Sequence, residues 1–174
     1  MAIDLRSKIR EVPGFPREGI LFYDITTLLQ DPDAFRDAID VMAEDFRGKS
    51  IDVVAAMESR GFIFGAPLAY LLHAGFAPIR KLGKLPSAKL TREYDLEYGT
   101  NTLEIHADAV QPGQRVLLVD DLLATGGTVA ASLDMVRELG GVPVAVAVLV
   151  ELEVLNGRRR LADYGVSVAS HIVY

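Results

Sequence analysis

The sequence predicts an α/β fold: an open, mainly parallel sheet of about five strands flanked by helices. Three observations lead there. Short, nearly continuous apolar runs recur along the chain, as in strands buried on both faces. Segments with helical apolar spacing lie between them. Glycines close those helical segments. The chain has 174 residues, of which 50% are apolar, which suits a single domain (1–174) with a real core.

The elements follow in order. Asp31-Pro32-Asp33 is a helix start with proline in the first turn, and Phe35, Ile39, Met42 and Phe46 recur behind it at helical spacing. Ile51 to Met57 is the first buried strand. Gly61 to His73 is an apolar helix ended by Gly75. Ala77 to Lys81 is a short strand. Residues 82–101 then lose all period and hold Gly83, Pro86, Gly99 and many charges. They read as a long flexible loop ending in a short hairpin arm, and long loops in compact domains are usually functional. Gln111-Pro112-Gly113 is a turn, and Arg115 to Val119 a strand. Thr128 to Leu139 is a helix stopped by Gly140-Gly141. Val144 to Val150 and Val166 to Val173 are the last strands.

Composition removes several functions. With no cysteine there is no disulfide, thiolate metal site or cysteine nucleophile. His73, His106 and His171 have no metal-ligand spacing and receive no role. The net charge of −6 does not suit a protein that coats nucleic acid. The N-terminus shows no leader pattern, and the most continuous apolar run, Val144 to Val150, is too short to span a membrane. A cytoplasmic protein with no nucleic-acid or membrane partner is expected. Yet Arg80, Lys81, Lys84, Lys89 and Arg92 fall together with no acid among them. Such a stretch is either a solvated basic loop or a local polyanion site.

The most informative stretch runs from Val116 to Thr128. A hydrophobic strand ends in Asp120-Asp121, and a loop, Leu122-Leu123-Ala124-Thr125-Gly126-Gly127-Thr128, opens a helix. Free N–H groups and the positive dipole end of a helix suit a phosphate. Glycines let the backbone approach an anion, and threonine hydroxyls add donors. Carboxylates beside a phosphate need other partners, and sugar hydroxyls and a hydrated Mg²⁺ are the natural ones. Together these features describe a ribose 5-phosphate site. A capped helix after a surface turn is the plainer alternative. Neither a Walker pattern nor G-x-G-x-x-G occurs.

This stretch, VDDLLATGGT, resembles the phosphoribosyl pyrophosphate motif of the type I phosphoribosyltransferases, and in particular the adenine phosphoribosyltransferases. Four further segments extend the resemblance over almost the whole chain. Glu58-Ser59-Arg60-Gly61-Phe62 is similar to the loop that grips pyrophosphate, which implies binding by Ser59, Arg60 and Gly61. Arg80-Lys81-Leu82-Gly83-Lys84-Leu85-Pro86 resembles the start of the family's flexible catalytic loop. It implies that Lys84, with Arg60 of the preceding loop, stabilises the leaving pyrophosphate and that Arg80 binds it, serving a neighbouring subunit's site. Leu82 stands where some relatives carry arginine or proline. Tyr94-Asp95-Leu96-Glu97-Tyr98-Gly99 resembles the loop's far end, with Glu97 at the position of the proposed acid–base group. Gly19 to Ile25 is similar to an N-terminal hood (1–30) over the base. That implies base contacts from Leu21 and Phe22, with Leu152 on the other face. The resemblance implies transfer of phosphoribosyl from phosphoribosyl pyrophosphate to adenine, giving AMP and pyrophosphate, with Mg²⁺ carried by the substrate and a homodimer as the working unit. It assigns phosphoribosyl pyrophosphate contacts to Asp120, Asp121, Ala124, Thr125, Gly126, Gly127 and Thr128. A regulator that senses the same substrate, or a transferase for another base, is the alternative; catalysis is favoured by Lys84 and Glu97.

Overall fold

The computed structural model describes residues 3–95 and 100–174, and they fall into two compact units, Met1–Val41 and Met42–Tyr174. In the first unit, Asp4 caps a single 3-10 turn by accepting from the Arg6 N–H. β1 (Arg10–Pro13) and β2 (Leu21–Asp24) then form an antiparallel hairpin, pairing Arg10 with Asp24 and Val12 with Phe22. The Arg10–Asp24 ion pair closes its open end at 2.5 Å. α1 (Thr26–Gln30) follows, and α2 (Pro32–Glu44) starts where its proline placed it. One oxygen of Asp31 accepts from the N–H groups of Asp33 and Ala34, both at 3.1 Å, and so satisfies two orphan donors of the first turn.

The second unit is built on a seven-stranded sheet. In chain order its elements are β3 (Val53–Met57), α3 (Gly61–Leu71), β4 (Gly75–Lys81), β5 (Lys89–Asp95), β6 (Thr100–His106) and β7 (Arg115–Leu123). Then come α4 (Gly127–Glu138), β8 (Val142–Glu151), α5 (Gly157–Leu161) and β9 (Ser167–Val173). The spatial order is β5-β6-β4-β3-β7-β8-β9. β4, β3, β7, β8 and β9 run parallel, while β6 and β5 are added antiparallel at one edge. All five residues of β3 are buried, because successive side chains point to opposite faces and a helix covers each. α3 lies on the Val54–Ala56 face, where a Cβ on Gly65 would come within 2.5 Å of the Ala56 methyl. α4 lies on the other face: Val129, Leu133 and Val136 share a core with Val53, Ala55, Met57, Val116 and Leu118.

Three expectations change. The hairpin arm expected at the end of residues 82–101 is present but takes up more of the segment than expected, since Lys89–Asp95 is a strand that pairs in register with β6 from Lys89↔His106 to Asp95↔Thr100. Its many charges hid its extent, and several of them are used in ion pairs. The strand expected to stop at Val119 continues to Leu123, because Leu122 and Leu123 find backbone partners in Val150 and Glu151 of β8. At the end of α3 the left-handed residue is His73 (φ 54) rather than Gly75, which already belongs to β4.

Candidate active site

The winding of the sheet reverses between β3 and β7. β3 leads through α3 to β4 on one side, and β7 leads through α4 to β8 on the other. Ligands of open parallel sheets bind beyond the carboxyl ends of strands at such a switch point. There the structure opens a cavity of about 480 Å³. Ser59 and Arg60, directly after β3, form one wall, and Asp120 and Asp121 on β7 face them, with Thr128 of α4 beyond. Arg60 Nε meets Asp121 Oδ2 at 2.5 Å, which ties the two loops together. Gly61 is obligatory at this approach: a Cβ there would lie 2.9 Å from the Val119 carbonyl oxygen and 3.0 Å from Asp120 Oδ1.

A smaller cavity, about 70 Å³, lies where β7 turns into α4 and is lined by Asp120 and the run from Leu122 to Val129. Gly126 ends this loop in a left-handed conformation (φ 79), and its carbonyl accepts the Ala130 N–H as the first bond of α4. The N–H groups just after it have no helical carbonyl to bind, and the dipole favours an anion there. The turn before α5 supports the loop from outside: a Cβ on Gly157 would lie 2.2 Å from the Ala124 carbonyl oxygen.

Residues 24–172 match the model of the phosphoribosyl transferase domain family. The chain belongs to this family. It is 52% identical to the adenine phosphoribosyltransferase of Clostridium tetani, across 95% of this chain and 96% of that one. The crystal structure of adenine phosphoribosyltransferase from Thermoanaerobacter pseudethanolicus superposes with a TM-score of 0.94 at 51% identity, covering 98% of each chain. That of the Saccharomyces cerevisiae enzyme, complexed with adenine and an imino-altritol bisphosphate, gives 0.90 at 37% identity, covering 97% of each.

Within this phosphoribosyl transferase domain, the expected residues Ser59, Arg60, Asp120, Asp121 and Thr128 share the larger cavity, and Ala124 to Thr128 share the smaller one. Gly61 is the close-packed first residue of α3. Arg80 turns to Glu58, Nε to Oε2 at 3.1 Å, and its Nη1 donates to the Lys84 carbonyl at 3.3 Å. The lysine on the cavity wall is Lys81, whose N–H also donates to Glu58 (3.0 Å), while Lys84 lies on the segment between β4 and β5. Leu152 follows β8, its N–H donating to the Leu123 carbonyl at 2.9 Å. Leu21 and Phe22 lie on β2 of the first unit, with Phe22 edge-on to Phe15 at 5.1 Å. Glu97 lies outside the described residues. Sequence reasoning made no site assignment for Lys81, Tyr94, Asn101 or Gly157, because their places beside the cavities depend on contacts between segments far apart in the chain.

The carboxylates divide by environment. Burial, and then the neighbouring Asp121 charge, push the Asp120 carboxyl well above the usual range. Burial also pushes Glu58 upward, but the Lys81 N–H and the Arg80 guanidinium outweigh it and hold Glu58 below the usual range. Glu104 on β6, 1% exposed, behaves alike: burial is outweighed by the nearby N–H groups of Gly83 and Leu85 and by Lys89, whose Nζ is 3.4 Å away. Neither Glu104 oxygen has a contact of full hydrogen-bond geometry among the described residues, so the hold is electrostatic. Glu58 and Glu104 thus brace from two sides the segment that carries Lys84.

Proposed function

We propose that this chain transfers phosphoribosyl from phosphoribosyl pyrophosphate to adenine, releasing AMP and pyrophosphate. The observation that carries the reading is the pairing of two unlike loops at the switch point. A diacid and an anion-binding helix start on β7 and α4 face a serine–arginine–glycine turn on β3, and Arg60–Asp121 joins them. The high identity to adenine phosphoribosyltransferases over nearly full length supports the same reading.

Each part has a chemical task. Ala124 to Thr128 receive the 5-phosphate on backbone N–H groups and threonine hydroxyls. Asp120 and Asp121 accept the ribose hydroxyls and stabilise the positive charge that grows on the ring. Ser59, Arg60 and Gly61 hold pyrophosphate, with Lys84 and Arg80 countering the charge that rises on the leaving oxygen. Glu97 accepts the N9 proton of adenine. Leu21, Phe22 and Leu152 pack the base, while a backbone carbonyl and N–H near Leu21 read its edge. Mg²⁺ enters with the substrate. It is held mainly by phosphate oxygens and water, with Asp120 and Asp121 reaching it through water. When bound, it neutralises pyrophosphate charge. The protein works as one domain in the cytoplasm and as a homodimer. No helix among the described residues is long and apolar enough to cross a membrane.

A pyrophosphate-release assay over a panel of bases tests the proposal. Adenine supports turnover far better than hypoxanthine or guanine, because a wrong edge strands buried polar groups. A preference for a 6-oxopurine, orotate or uracil overturns the adenine assignment. Release with no base at all overturns transfer.

A further inference from the structure

Tyr94 stands on β5, which is joined to α4 at several points. Arg92 pairs with Asp134 and Glu138 on α4, at 3.7 and 2.5 Å. Two residues on, and therefore on the same face of the strand, the Tyr94 hydroxyl lies 3.1 Å from Thr128 Oγ1 at the start of the helix. The Tyr94 ring is partly buried against the core and walls the main cavity on one side. On its other side it walls a second cavity of about 330 Å³. Packing against the core, rather than the open space on either side, holds the ring beside its partner.

We infer that Tyr94 is a positioning residue for the 5-phosphate of the substrate, acting through the Thr128 hydroxyl. The inference rests on the reading of the α4 start as the phosphate site. A hydroxyl has one proton to donate and lone pairs to accept with, and a phosphate dianion offers only acceptors. With the phosphate bound, Thr128 turns its proton to a phosphate oxygen, and Tyr94 turns its own proton to Thr128 Oγ1. No proton is transferred, and the hydrogen bond between the two hydroxyls persists with its donor and acceptor exchanged. The Thr128 rotor is thereby fixed in its donating orientation, and its oxygen is polarised toward the anion. A phenylalanine at 94 keeps the ring and the packing but leaves Thr128 to find that orientation alone.

Steady-state kinetics of Tyr94→Phe test this. The KM for phosphoribosyl pyrophosphate rises about three- to tenfold, the worth of one neutral hydrogen bond, while kcat and the KM for adenine stay within about twofold. In a Thr128→Ala background the same change has no further effect, which a merely structural role of the ring would not produce. An unchanged KM in Tyr94→Phe, or the same rise in both backgrounds, overturns the role of Tyr94 and leaves the phosphate site standing. If Thr128→Ala alone leaves that KM unchanged, the reading of the phosphate site itself fails. Should Thr128→Ala not fold, calorimetry with ribose 5-phosphate decides. Its Kd for Tyr94→Phe rises by about the same factor, with adenine binding unmoved, and an unchanged Kd refutes the proposal.

Discussion

Replacing Gly126 by alanine tests the architecture of the phosphate loop directly. Gly126 has φ 79, and a Cβ on it would lie 2.9 Å from the Gly157 carbonyl oxygen. Two costs therefore add. A left-handed conformation costs an alanine about 1–2 kcal/mol. Forcing a methyl against fixed backbone costs about 1–3 kcal/mol more, since no flexible side-chain end can give way. The sum is about 2–5 kcal/mol, or a Tm fall of about 4–20 °C for a chain of this size. Gly113 is the control, with φ 83 and nothing within 4 Å of the position of its Cβ. Gly113→Ala bears only the backbone cost, a fall of about 2–8 °C, and keeps full ligand binding. The steric part in Gly126→Ala is relieved by displacing the loop, so ribose 5-phosphate binding weakens by about tenfold or more, which about 1.4 kcal/mol already produces. Scanning calorimetry and titration calorimetry on the two variants give the comparison. Equal losses of Tm with ribose 5-phosphate binding intact in Gly126→Ala would refute the steric argument.

Two further predictions concern ionisable groups. Asp120 has a raised native pKa, so protonation favours the folded state: that stability is fully present below the ordinary carboxylate range and is lost as pH rises through the raised value. Asp120→Asn removes this slope, so its Tm exceeds that of the parent above the window while turnover collapses; parallel Tm–pH curves would show that Asp120 carries no such shift. Glu97→Gln lowers kcat by about a hundredfold with KM little changed, measured where chemistry limits turnover, because an amide keeps the shape but is a poor base. Near-normal kcat under those conditions places the proton acceptor elsewhere.

How much was legible in the sequence follows from where the signals reside. Strands covered on both faces, such as Val53–Met57, announce themselves as unbroken apolar runs, and α2 by its proline and capping aspartate. The loop before α4 was legible because the phosphate task proposed for it demands particular residue types in a fixed order next to a strand. β5 was legible only as part of a hairpin arm, since Lys89 and Arg92 break up its apolar residues. Their charges are matched by Glu104 and by Asp134 and Glu138, partners that only the fold supplies. The same cause hid Lys81 from the site. Among five basic residues in one stretch, nothing local distinguishes the one on the cavity wall from those braced against Glu58 and Glu104.

The contact between Gly126 and Gly157 has a consequence for changing what the protein accepts. Leu152, for which a base contact is proposed, and Gly157, close against the loop before α4, are the two ends of one short connection after β8. Lengthening or reshaping that connection to admit a larger base would move its far end, and the far end has little slack, because a single Cβ on Gly157 or Gly126 would already meet the backbone opposite. On the proposed assignment of the two sites, base preference and phosphate grip are therefore not independent design variables in this chain. Substitutions that keep the six-residue span from Leu152 to Gly157 are tolerated where insertions are not, and a search for new substrates is best confined to side chains along the span.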